Sequence, residues 1–132
     1  PIERERMNVM PLLMTGPEQR ELEIAAEKLL RRLKINGTRI GQRYIIYAVC
    51  EVVRDPCLLL CITKTLYPTI AKRFSASPRA VERAIRTTIS ASWEAGGGEV
   101  LSRLAGCPIT SKPTNAEFID LVAAHIRLTW SE

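Results

Sequence analysis

Arg79, Glu82, Arg83 and Arg86 stand at i, i+3, i+4 and i+7 in the segment PRAVERAIR, so a helix there carries them on one face. These side chains suit base edges. A guanidinium can bond a guanine bidentately, and a carboxylate can accept from a cytosine amino group. They begin in the N-terminal turns, the part of a recognition helix that reaches bases. Val81, Ile85 and Ile89 form the opposite, apolar face. The same spacing permits an ordinary solvated face with an i,i+4 pair such as Glu82 with Arg86. Three arginines against one acid on an otherwise apolar helix favour DNA.

Such a helix needs a partner to aim it. Ala71, flanked by Ile70 and Phe74, is the small residue where two helices cross closely. Ser75-Ala76-Ser77 is the turn, and Val81, ten residues after Ala71, packs back between the helices. The glycine common in such turns is replaced by Ser75. Tyr67-Pro68 opens the first helix of the pair. Ser77-Pro78 opens the second, a recognition helix over about 78–93 that ends before Gly96-Gly97-Gly98.

The rest of the chain also reads as helical. Thr15-Gly16-Pro17-Glu18 is a helix start, followed by the stripe Leu22, Ala25, Ala26, Leu29, Leu30 and Leu33 and a stop at Asn36-Gly37. A broadly apolar helix is expected over 39–54; Ile45-Ile46-Tyr47 alone would also suit a strand, but no turn signal comes before Asp55-Pro56. The segment 56–66 is apolar nearly all round, which predicts a buried helix. A short helix over 99–105, the loop GCPITSKP and a capping box Thr114-x-x-Glu117 lead to the last helix, with Phe118, Leu121, Val122, Ile126 and Trp130. The expectation is an all-α bundle of six or seven helices built around a helix-turn-helix. Residues 1–14 form a linker or arm and 15–132 one domain.

Bulk properties agree. The 132 residues are 46% hydrophobic with seven aromatics, enough for a core and sparse for a β-sandwich. No apolar run spans a bilayer, and no signal segment opens the chain. The net charge of +5 is concentrated: residues 63–90 carry six Lys/Arg and one Glu, whereas 1–62 net +2 and 91–132 net −2. A basic stretch in a near-neutral domain is a phosphate-contact footprint. Cys50, Cys57, Cys61 and Cys107 are expected to pack in the core as small hydrophobes. Cys57-x3-Cys61 fits zinc spacing loosely without a second pair, and a disulfide is the remaining alternative. Reduced thiols fit a cytoplasmic protein. One histidine, His125, and no phosphate-binding Gly-rich loop argue against an enzyme, and no cofactor is expected.

LYPTIAKRFSASPRAVERAIR, Leu66 to Arg86, closely resembles the DNA-binding effector domain of the stage zero sporulation protein A response regulators. Ile62-Thr63-Lys64, Ser92-Trp93, the segment Lys112-Pro113-Thr114-Asn115-Ala116-Glu117-Phe118-Ile119 and Arg127-Leu128 extend the likeness over roughly 24–128. The resemblance implies a six-helix effector domain that binds TGTCGAA-type boxes as tandem copies and touches the primary sigma factor of RNA polymerase. It implies that Arg83 reads a guanine, Glu82 a cytosine, and Lys112 the DNA backbone. With Ser77, Arg79, Arg86 and Thr87 these form the candidate DNA-binding set. The free N–H groups at the helix start near Thr114 also favour an anion.

Two departures stand out. The family's arginine before Val81 is Ala80 here, and Arg79 lies about 100° away around the helix, better placed for phosphate. Gly96-Gly97-Gly98 replaces a stiffer stretch at the polymerase-facing turn. The family's receiver domain has no room in this chain. Without it a monomer or weak dimer is expected in solution, with self-association on tandem sites through the last helix, where Asp120, Ala124 and Arg127 are left for a neighbour. The competing class is a receiver-less helical adaptor that has lost specific DNA binding; the basic face of 79–86 argues against it.

Overall fold

The computed structural model describes residues 17–36 and 39–130. The arm at 1–14, the Thr15 cap, Gly37 and the Trp130 side chain lie outside the described residues. Helix α1 spans Pro17–Arg32 and buries Leu22, Ala26, Leu29 and Leu30, with Leu33 buried just past its end. It stops before the expected Asn36-Gly37. Lys34 turns left-handed (φ 68°), its N–H donates to the Arg31 carbonyl, and the Ile35 N–H donates to the Leu30 carbonyl at 2.9 Å. Ile35 is buried, so the apolar contact of a Schellman motif decides the stop even with a lysine in the left-handed position.

Helix α2, Ile40–Arg54, is central. It packs on α1 and on three later α-helices, and buries Tyr44, Ile45, Ala48, Val49, Cys50 and Val52. After it, the expected buried helix over 56–66 is instead a 3₁₀ helix, Pro56–Cys61, none of whose residues is buried: Leu58 and Leu59 are half-buried against the core and Leu60 is 85% exposed. Asp55 caps it by accepting from the Cys57 N–H. The Thr65 hydroxyl lies 2.7 Å from the Leu58 carbonyl and 2.9 Å from that of Cys61. A three-residue turn stacks Cys57 and Leu60 on one ridge, and that ridge faces out. A uniformly apolar segment carries no pattern to show this. The cysteines are corrected with it: Cys50 is core, whereas Cys57, Cys61 and Cys107 are exposed.

Helices α3, Leu66–Phe74, and α4, Pro78–Ser92, form the helix-turn-helix. Helix α4 ends before Gly96-Gly97-Gly98, as expected: a π turn, Trp93–Gly97, is kinked at the left-handed Gly96 (φ 97°) and leads into α5, Gly98–Ala105. The Ser92 hydroxyl donates to the Leu33 carbonyl, and a Cβ on Gly97 would come 2.6 Å from that same oxygen. Gly97 therefore lets the end of α4 seat against the end of α1. Helix α6, Asn115–Trp130, closes the bundle with Phe118, Ile119, Val122, Ala123 and Ile126 inside. Its capping box is reciprocal: the Thr114 N–H donates to the Glu117 carboxylate at 2.9 Å, and the Glu117 N–H donates to the Thr114 hydroxyl at 3.1 Å. The architecture is all-α, six α-helices with a 3₁₀ turn, and no strand occurs among the described residues.

Candidate nucleic-acid interface

The turn of the helix pair is tight. Ser75 is left-handed (φ 55°, ψ 47°), and the N–H groups of Ser75 and Ala76 both donate to the Ala71 carbonyl. Ala71 is buried against α4, whose inner face is Val81, Ile85, Thr88 and Ile89. With that stripe fixed, the helical period turns Arg79, Arg83, Arg86 and Thr87 outward, and all four are exposed. Among the described residues Arg79 and Arg83 make no ion pair, so their guanidinium groups are available to a ligand. Ser77 is the N-cap of α4; its hydroxyl accepts from the Ala80 N–H at 3.1 Å. Arg79 is in the first turn of α4.

Glu82 and Arg86 are paired. Arg86 Nε donates to Glu82 Oε2 at 3.0 Å, and Nη2 donates to Oε1 at 3.3 Å. The solvated-face alternative is thus real for this pair. A pair this exposed is worth only a few tenths of a kcal/mol, roughly 0.3–0.5. It holds the carboxylate in a defined place and leaves Arg79 and Arg83 untouched.

Lys112 lies far from this set in sequence but beside α4 in space: its Nζ donates to the Ser90 hydroxyl at 2.7 Å. The helix start behind it is a weaker anion site than the bare N–H groups suggested, because Glu117 already places its own carboxylate there.

The residue that sequence reasoning missed is Asn115. It is buried, and its Nδ2 donates to the Tyr67 hydroxyl at 2.9 Å and to the Glu82 carbonyl at 3.2 Å. Burial pushes the Tyr67 hydroxyl above its ordinary range, with the Asn115 hydrogen bond acting in the opposite direction. A signal did exist. Asn115 falls at the head of the stripe Asn115, Phe118, Ile119, Val122, and a polar residue on an inward stripe calls for partners. Among the described residues no cluster of three or more His, Cys, Asp or Glu is arranged to hold a metal. No described helix is long and apolar enough to cross a membrane.

A buried helix pair with a tight left-handed turn, presenting a basic outward face on its second helix, defines an all-α protein of the helix-turn-helix class. The chain belongs to the family described as sporulation initiation factor Spo0A C terminal, whose model matches residues 26–126. That is a family of DNA-binding effector domains of a sporulation regulator, and not an enzyme family.

Proposed function

We propose that this chain is a sequence-specific transcription regulator acting in the cytoplasm, with 15–132 as a single effector domain and α4 lying in the major groove. Arg83 bonds a guanine and Glu82 accepts from a cytosine, held in place by Arg86. Arg79, Lys112, Ser77 and Thr87 contact the backbone. The observation that carries this reading is the pair of guanidinium groups, Arg79 and Arg83, that make no ion pair among the described residues and stand on the outward face of a helix whose inner face is buried. The sites are TGTCGAA-like boxes, and the turn and short helix at 93–105 face the polymerase sigma factor. One module reads few base pairs, so two copies load cooperatively on tandem boxes.

The test is a salt titration on a duplex carrying a TGTCGAA box and on the same duplex with the box scrambled. Tighter binding to the box at every salt concentration, with parallel salt slopes, is the expected result. Equal binding to both duplexes leaves only a non-specific basic surface. No binding at low salt leaves the adaptor. Varying the spacing of two boxes by half a helical turn, about 5 base pairs, should alternately restore and remove cooperativity.

A further inference from the structure

The segment from Lys112 to Asn115 lies against α4 between Ser90 and Glu82, about two helical turns. At its far end a single side-chain amide joins three elements. Asn115 begins α6; one of its N–H groups reaches Tyr67 on α3 and the other reaches the backbone of Glu82 on α4. The assignment of nitrogen rather than oxygen to this position follows from the partners, since the Glu82 carbonyl can only accept. Burial makes both bonds costly to leave unmade.

We propose that Asn115 is a positioning residue for base recognition: it fixes the depth and rotation of α4 at Glu82, so that the base-facing carboxylate and the backbone-facing Lys112 meet one duplex in one register. This rests on the reading of α4 as the recognition helix. The contact is to the main chain of Glu82, so it sets where the side chain starts without competing for its carboxylate. Tyr67 orients the amide from the other side. A displacement of α4 at this point moves a base contact but leaves the basic surface intact. Discrimination between sequences is therefore what Asn115 controls, and bulk affinity is not.

The variants separate the two bonds. Asn115→Ala removes both. Asn115→Asp lets the carboxylate accept from the Tyr67 hydroxyl but gives the Glu82 carbonyl no donor. Tyr67→Phe keeps the Glu82 bond. Each is titrated with the TGTCGAA-box duplex, with the scrambled duplex, and with a box in which the C·G pair read by Glu82 is exchanged. The expected result is a loss of about tenfold in the box-to-exchanged ratio for both Asn115 variants, with binding to the scrambled duplex unchanged. Tyr67→Phe should keep that ratio within about twofold. A merely structural role lowers the active fraction and weakens all three duplexes alike, which overturns the proposal. An unchanged ratio in folded Asn115→Asp also overturns it. A measurement on the unmutated protein covers the case in which the variants do not fold. The Asn115 side-chain amide resonance should shift on adding the box duplex and stay still with the scrambled one; a resonance indifferent to both overturns the proposal. If the unmutated protein binds box and scrambled duplexes equally, it is the recognition-helix reading that fails, and the positioning role falls with it.

Discussion

Gly41 on α2 sits directly against Thr88 on α4: a Cβ at position 41 would collide with the Thr88 hydroxyl and come 2.7 Å from the Ala84 carbonyl oxygen. Helix α4 is thus seated on the central helix through a glycine, which sets how closely those two helices approach at this point. Thr88 already donates to the Ala84 carbonyl, so it cannot simply swing away.

Gly41→Ala should therefore destabilise the fold by about 1–3 kcal/mol, the usual cost of overpacking a close contact. Urea denaturation measures it. Adding Thr88→Ala should recover only part of the loss, because the Ala84 backbone remains in the way. A Gly41→Ala protein as stable as the parent would mean that α2 and α4 are further apart than described.

Ser75 is the reverse case, a side chain where glycine is easier. Its φ of 55° carries a steric cost for any residue with a Cβ, and it is exposed. Ser75→Gly should raise stability by about 0.5–1 kcal/mol. Ser75→Ala keeps the Cβ and should give no gain. If glycine and alanine shift the urea midpoint alike, the turn is not left-handed at this residue.

The thiols give a reading of the fold without mutation. Cys57, Cys61 and Cys107 are exposed and Cys50 is buried. Burial above all, with Glu23 adding to it, pushes the Cys50 thiol up to about 12. The thiolate is the reacting form, so a thiol reagent at neutral pH should label three sites in the native chain and a fourth only in denaturant. Unfolded, the same thiol ionises near 9.0, so its contribution to stability is complete below pH 9.0 and declines as pH rises towards 12. Native labelling of Cys50, read by mass spectrometry, would contradict its place in the core.

These particulars show what was legible in the chain and what was not. The inner and outer faces of α4 were legible because two chemistries alternate along it with the helical period: Val81, Ile85 and Ile89 against Arg79, Arg83 and Arg86. The last helix was legible at its start because Thr114 and Glu117 satisfy each other within four residues. The segment 56–61 was not, since a run of apolar residues has no face, and the exposure of Leu60 depends on a 3₁₀ turn that periodicity does not announce. Asn115 was hidden for another reason. Its partners lie 48 and 33 residues away, and nothing in the residues next to it at the start of the helix names them. Arg127, expected to face a neighbour, donates to the Val52 carbonyl at 3.4 Å, so the last helix offers a partner less than its pattern suggested.

Arg83 is exposed and makes no ion pair among the described residues, so its loss should leave the fold unchanged. Arg83→Ala should cost about 1–3 kcal/mol on the preferred box and relax preference at one base pair. Equal weakening on the box and on scrambled duplex would reduce Arg83 to a phosphate contact.

On the proposed reading Lys112 should behave differently, because its position is defined by α4 while its charge is the part that would meet DNA. Nζ rests on the Ser90 hydroxyl at 2.7 Å, an exposed contact that places the ammonium beside the C-terminal half of α4 and away from the turns that reach bases. An ammonium there neutralises one phosphate and releases about one counterion, which carries no sequence information. Lys112→Ala should then weaken box and scrambled duplexes by the same factor and lower the slope of log K against log salt by about one. Ser90→Ala keeps the charge and removes only its rest, so the slope should stay at the parent value. Altered base preference in Lys112→Ala with an unchanged salt slope would put the ammonium at a base edge. A Ser90→Ala slope that falls as far as that of Lys112→Ala would show that the hydroxyl contact, and not the charge alone, is needed to reach the phosphate.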